Sequence, residues 1–365
     1  MTTQSLRGMA NHGPMHWRGD RTGGNDAPSS EPDSGTFDER AAFRKFQEAF
    51  ADLLGRADGL PDADMEAFTD FILKVTYPPN PIRALDNSLN AQEQLGEDLF
   101  FGSLGPVIDR FTTCAGCHAL DRGADPGPDA TGVFGTLDAT VFDFGVQFFK
   151  PPHLRNTYQK VGMFGFPNVI NTNPGDNDFM NDQVRGFGYL HDGSFDTAFR
   201  FHNVRSFNQT PVNPGGMPLS AEGTEMRRAL EAYVFAFDSN MAPIVGQQAT
   251  LGAGNAAAAG PRIDLLRARA EAGECDLVAK GHLLFQELGF LYLGSGLFQG
   301  SREAFPPIAD GLLRQLAALP GHELTYTCAP PGSGERVGLD RDEDGFFDGD
   351  EIDAGSDPAD AGSTP

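Results

Sequence analysis

The sequence predicts a mainly α-helical fold with long loops, followed by a small C-terminal module and an acidic tail. Three observations carry that prediction. Apolar residues recur at helical spacing in separate segments of the first 240 residues. Glycine and proline, 45 and 26 in number, crowd the stretches between them and favour ordered turns over a closely wound bundle. Beyond residue 335 the chain becomes strongly acidic. A length of 365 residues exceeds what one core usually fills, so more than one substructure is expected. Phe is abundant (30) against a single Trp, which predicts a Phe-rich core.

The helices follow in order. Thr36 to Glu39 reads as a capping box, after which Phe43, Phe46, Phe50 and Leu53 fall on one helical face. A second helix is expected over Asp64 to Val75, with Met65, Phe68 and Ile72 as its apolar face and Pro78, Pro79 and Pro81 ending it. Asn90 starts a third, with Glu93 three residues later and Leu95 and Leu99 forming its stripe. Residues 121–190, rich in Gly, Pro, Asn and Asp, predict loop. Ser220 opens a fourth helix in which Met226, Leu230, Val234 and Phe237 share a face. It is expected to cross the 90–101 helix where Gly96 permits close approach. Residues 249–260 are small and low in complexity and read as a linker. The expected segments are therefore 1–85, 86–248, a small module over 261–335 and the acidic tail 336–365.

Chemistry is concentrated at Cys114-Ala-Gly-Cys117-His118, a C-x-x-C-H motif. Two thiols at this spacing can each add to one vinyl group of a haem. The adjacent imidazole is then presented to the iron, oriented by a hydrogen bond from its other nitrogen. A zinc half-site would need a second Cys or His pair, which Cys275 and Cys328 are poorly spaced to supply. A dithiol redox pair would want a βαβ context, which the pattern lacks. The motif and its flanking helices predict one covalent haem c. The expected fold class is thus mainly α: a cytochrome c-like haem domain with long loops, plus the small C-terminal module. For the sixth iron ligand Met163 leads, with His202 and Met217 as alternatives and an open position as the fourth option. The competing reading of a methionine is core packing.

A net charge of −24 argues against nucleic acid as a partner, since phosphate backbones need Lys and Arg. It suits a secreted protein, a cation-binding one, or one that docks a basic redox partner; a solvated acidic surface is the plainer reading. No run of 18 apolar residues occurs, so no membrane span is expected. Cys275 and Cys328 can pair as a disulfide in an oxidising compartment. Residues 1–21 do not read as a signal peptide. Haem of the c type is normally attached outside the cytoplasm. The expectation is an N-terminally incomplete chain of a periplasmic or extracellular protein.

In the tail, Asp340, Asp342, Asp344, Phe346, Asp348 and Glu351 fall at positions 1, 3, 5, 7, 9 and 12 of a twelve-position calcium loop, with Gly345 at position 6. Calcium takes six to eight oxygens, the glycine allows the sharp turn, and the last Glu can bind through both oxygens. Pro330-Pro331-Gly332 does not read as an entering helix, so the loop resembles the calcium motifs of dockerin and thrombospondin type 3 modules more than a sensor EF-hand. Calcium is the second expected cofactor.

The order of segments resembles the bacterial di-haem cytochrome c peroxidase superfamily. The resemblance spans residues 1–240 and is carried by several pieces: Thr3 to Arg7 with His16 to Arg21; Phe37 to Val75; Leu85 to Leu89; the C-x-x-C-H at 114–118; Phe149 to Asn156; and Tyr189 to Ser194. It implies Trp17 as an electron bridge between two haems and Arg155 as a contact to a haem propionate. A packing tryptophan, a turn-capping arginine and, for His191, a turn histidine are the structural alternatives. In this family the first haem meets peroxide and the second relays electrons, often with a Met ligand soon after the His-Asp-Gly segment. Here Phe195 to Phe207 contains His202 and no Met, and an Asn- and Asp-rich insertion separates Arg155 from His191. The resemblance implies an extracytoplasmic haem oxidoreductase whose relaying haem lies on this chain, with a redox protein or second haem domain as partner. A mono-haem electron carrier and a calcium-stabilised secreted binding module are the alternatives. The sequence identifies no substrate.

Overall fold

The computed structural model describes residues 5–10, 15–17, 38–103, 113–118, 152–162, 186–190, 193, 195–283 and 286–365. The chain divides into two units, Met1–Ile82 with Leu89–Asn240, and Arg83–Ser88 with Met241–Pro365.

In the first unit the helices arise from caps and apolar spacing. Asp38 accepts from the Ala41 amide at 3.0 Å and starts α1 (Glu39–Arg44), which passes through a 3-10 turn into α2 (Glu48–Asp52). Helix α3 (Asp62–Ile72) packs against them, and Phe43, Met65 and Ile72 are buried among Phe46, Phe50 and Phe68. Leu53 departs from expectation: α2 ends at Asp52, the helical phase is lost, and Leu53 is 82% exposed. Thr36 lies outside the described residues.

Asn90 and Glu93 close a full capping box on α4 (Ala91–Phe101), and Gly102, at φ 78°, ends that helix in the left-handed conformation. Two short helices, α5 (Cys114–Cys117) and α6 (Ala198–His202), precede α7 (Ala221–Phe235). A Cβ at Gly96 would lie 2.0 Å from the Ala229 carbonyl oxygen and 2.6 Å from Tyr233 Cβ, so α4 and α7 cross in contact only because that position has no side chain. Leu99, Phe100, Ala115, Met217, Leu230, Tyr233 and Phe237 form the core around the crossing.

The second unit overturns the expectation of a mainly α fold. It is built on a six-stranded antiparallel sheet of β1 (Gln248–Gly252), β2 (Asp276–Leu283), β3 (Gln286–Gly294), β4 (Leu297–Gly300), β5 (Ile308–Ala309) and β6 (Glu323–Ala329), in the order β1-β6-β2-β3-β4-β5. The physical reason is a change of period. Along β6, Leu324, Tyr326 and Cys328 point inward and are buried, while Thr325 and Thr327 alternate with them. Residues 249–260 are likewise not a linker. Ala249 and Leu251 are the buried positions of β1, and the alanine run begins α8 (Ala256–Glu271). Ile263 and Leu266 of α8, with Leu313 and Ala317 of α9 (Asp310–Ala317), cover the sheet face formed by Leu277, Ala279, Phe298, Leu324 and Tyr326. Two short helices, α10 (Gly334–Gly338) and α11 (Asp348–Ala354), flank the acidic loop.

Cys275 and Cys328 form the expected disulfide, with Cα atoms 5.3 Å apart across a sequence separation of 53 residues. It ties the approach to β2 to β6, where Leu277 faces Cys328 in register. Closing a loop of that length is worth roughly 4 kcal/mol in the chain-entropy account. Cys275→Ala with Cys328→Ala is therefore expected to lower the stability of the second unit by about that amount in chemical denaturation. An unchanged midpoint would show that the bond constrains nothing. Among the described residues no helix is long and apolar enough to cross a membrane.

Candidate functional site

The C-x-x-C-H segment folds as one turn of helix. Thr113 caps it by accepting from the Gly116 amide at 3.2 Å, and the His118 amide donates to the Cys114 carbonyl at 2.9 Å. Ala115 is buried in the core of the α4–α7 crossing, with Cys114 packed against the same cluster. The turn therefore takes its position from the helix pair. The imidazole leaves this core half-buried, 6.4 Å from the Phe100 ring centroid. His118 Nδ1 lies 2.8 Å from the Pro152 carbonyl oxygen, an acceptor, so Nδ1 carries the proton. That bond fixes the tautomer, which is the orienting role a second-nitrogen hydrogen bond plays for a metal-ligating histidine.

Three residues beyond Pro152, Arg155 is 1% exposed, and Nε and both Nη atoms find no hydrogen-bond partner. Burial lowers its pKa, opposed by the charges of Asp238 and Tyr77. Those charges offset the desolvation of the guanidinium only in part, and an anion hydrogen-bonded to it would relieve the rest. The donor set therefore fits a carboxylate-bearing ligand, and haem carries two propionates. A tautomer-locked imidazole, a Cys on a capped turn and an unsatisfied arginine fit a c-type haem in the first unit.

His202 ends α6. Its ring packs against Phe201 and Phe207, at centroid distances of 5.8 and 6.4 Å, and Nδ1 is buried without a partner. Burial pushes its pKa down to about 4. The backbone of Arg227 acts in the opposite direction, and the charges of Arg227 and His118 lower it further. The two histidines are thus within electrostatic reach of each other. Met217 is 1% exposed and belongs to the core cluster with Ala115. Trp17 is half-buried. Met163 and His191, and the side chain of Cys117, lie outside what is described.

Sequence reasoning missed Arg227. It is 2% exposed, and its guanidinium donates to the carbonyls of His202, Pro218, Gly223 and Met217 and to Asn208 Oδ1, at 2.6–3.2 Å. One side chain of α7 thereby fixes the segment that carries both His202 and Met217. An arginine on a helix gives no sequence signal for that role.

In the second unit, one carboxylate oxygen each of Asp340, Asp342 and Asp344 lie within 4.8 Å of one another. Asp340 organises the turn, accepting from the Glu343 amide at 2.8 Å and the Gly345 amide at 3.0 Å. Gly345 sits at φ 95°, so position 6 is where the chain needs a glycine. Glu351 is 0% exposed, yet neither of its carboxylate oxygens has a partner, nor do Asp342 Oδ2 and Asp344 Oδ2. Burial raises the Glu351 pKa, and the negative charges of Asp342, Asp344, Asp348 and Asp340 raise it further. Asp342 is raised by burial and by Asp344. This cluster of carboxylates could hold a cation, which would offset their mutual repulsion. Asp348, at position 9, is turned elsewhere: Oδ2 is 2.9 Å from Arg341 Nε and 3.6 Å from Lys280 Nζ, and Oδ1 accepts from the Arg341 amide. Direct ligation by Asp348 would break these bonds, so a water-bridged contact is the one that fits. Phe346 occupies position 7, where the backbone carbonyl is the ligand.

No protein-family model, no curated protein and no solved structure matches the chain.

Proposed function

We propose that this chain is an extracytoplasmic c-type haem oxidoreductase of di-haem peroxidase type, carrying the electron-relaying haem on Cys114, Cys117 and His118 and stabilised by calcium in its C-terminal unit. The observation that carries the reading is the bond between His118 Nδ1 and the Pro152 carbonyl at the end of a Cys-x-x-Cys-His turn. Arg155 supports it as the anchor for a propionate. Bound haem supplies a one-electron couple, and the protein sets its orientation and surroundings. Cys114 and Cys117 hold it covalently. His118 would be the iron ligand, with Pro152 keeping the Nδ1 proton in place. Phe100 and Phe207 line the apolar side of the site, which favours the less charged redox state. Asp340, Asp342, Asp344, Glu351 and the Phe346 carbonyl hold calcium, with Asp348 acting through water. The Cys275–Cys328 bond and the net charge of −24 support a periplasmic or extracellular location.

A second reading, a mono-haem electron carrier without peroxidase activity, is favoured by the single C-x-x-C-H in these 365 residues. Titrating the haem-loaded product of the full gene with dithionite and then with hydrogen peroxide separates the two. Peroxide consumed catalytically by the reduced protein supports the enzyme. Reversible reduction with no peroxide consumed supports the carrier. A haem that resists reduction contradicts both and leaves a structural haem in a secreted binding module.

A further inference from the structure

We infer that His202 is the second axial ligand of the haem iron, opposite His118, so that the site is a closed bis-histidine electron relay. The inference rests on the haem reading above and takes it further, because ligation decides whether a small molecule such as peroxide can reach the iron.

Four observations carry it. First, His202 is held where it stands. Thr197 caps α6 by accepting from the Arg200 amide at 3.2 Å, and Arg227 Nε donates to the His202 carbonyl at 3.1 Å. Second, the ring belongs to the aromatic wall of the same site. Its neighbour Phe207 packs, as Cys114 does, against the cluster that contains Ala115, and His118 acts on it electrostatically. Third, Nδ1 is buried and unsatisfied. A sealed, unpartnered nitrogen costs about 1–3 kcal/mol, and such groups are retained where function needs them. An iron would supply the ring with the partner that it lacks. Fourth, Met217 is 1% exposed in the hydrophobic cluster, where packing already accounts for its side chain.

A second imidazole in place of a thioether lowers the reduction potential and closes the iron to exogenous ligands. Lacking an open position, the site passes electrons and does not bind peroxide.

The test uses the full chain matured with haem, read by absorption, electron paramagnetic resonance and redox titration. The wild type is expected to be six-coordinate and low-spin in both oxidation states, without the near-infrared band of a thioether-ligated ferric haem. His202→Ala is expected to become high-spin, and added imidazole to restore the low-spin spectrum. His202→Met, which keeps the side-chain volume should the alanine variant fail to fold, is expected to gain the thioether band and a higher midpoint potential. A His202→Ala protein with the wild-type spectrum, a His202→Met protein with the wild-type potential, or a thioether band in the wild type would each overturn the assignment while leaving the haem in place. A wild type with no Soret band would remove the haem reading itself, and the ligand with it.

Discussion

Glu351→Gln is expected to abolish the stabilisation of the second unit by calcium, and to leave the metal-free protein more stable than the wild type. Both halves follow from one arrangement. Without a cation, the buried Glu351 carboxylate faces Asp342, Asp344, Asp348 and Asp340 with neither oxygen satisfied, so neutralising it relieves repulsion. With a cation, the same carboxylate supplies two ligand oxygens that an amide cannot replace. At a calcium concentration 100 times the dissociation constant, binding contributes about 2.7 kcal/mol, or a Tm shift of roughly 10 °C for a unit of this size. The wild type should show that shift on adding calcium and lose it with a chelator, whereas Glu351→Gln should show almost none.

The pH dependence has a defined sign. Glu351 and Asp342 have raised folded-state pKa values, so in the metal-free protein their contribution is present below the ordinary carboxylate range and is lost as pH rises through the raised values. Calcium requires the ionised forms, so the gain from calcium grows over that same window. Thermal scans with calcium and with chelator should therefore diverge as pH rises. Parallel curves would mean that no cation binds at the cluster.

The second large effect is expected at the haem turn. Cys114→Ser with Cys117→Ser should remove essentially all covalent haem, so that acid–acetone extraction strips the porphyrin from any protein that still binds it. Each single variant keeps one thioether and resists extraction. His118→Ala keeps both thioethers and loses the axial imidazole, so its spectrum changes while its haem content does not. These variants separate attachment from ligation. Substitution at Arg155 probes a third element: Arg155→Lys retains a charge but not the planar fork that meets a carboxylate through two bonds.

What the sequence made legible, and what it hid, divides by the range of the interactions. The α4–α7 crossing was readable because Gly96 and the stripe of Leu99, Leu230 and Val234 are local periodic signals. The turn at 113–118 and the grouping of carboxylates in the loop at 340–351 were readable because each rests on a short, distinctive spacing. The sheet escaped because its evidence is alternation in short runs, such as Leu324, Tyr326 and Cys328, set among glycines and next to an alanine-rich segment that composition alone marks as flexible. Leu53 was misplaced because apolar spacing was carried past the helix end, although Gly55, at φ 70°, marks the termination. The partners that define the sites were beyond sequence reasoning altogether. Pro152 reaches His118 from 34 residues away, Arg227 organises the His202 segment from the next helix, and Lys280 of β2 helps draw Asp348 away from the cation cluster.

The mass of the peptide that contains Cys114 to His118 tests the account most directly. It should be taken from protein produced in a host equipped for c-type haem maturation and digested without reductant. The peptide is expected to carry one haem through two thioether bonds, in a protein whose Soret band survives denaturation. An unmodified peptide from a colourless protein would contradict the central claim.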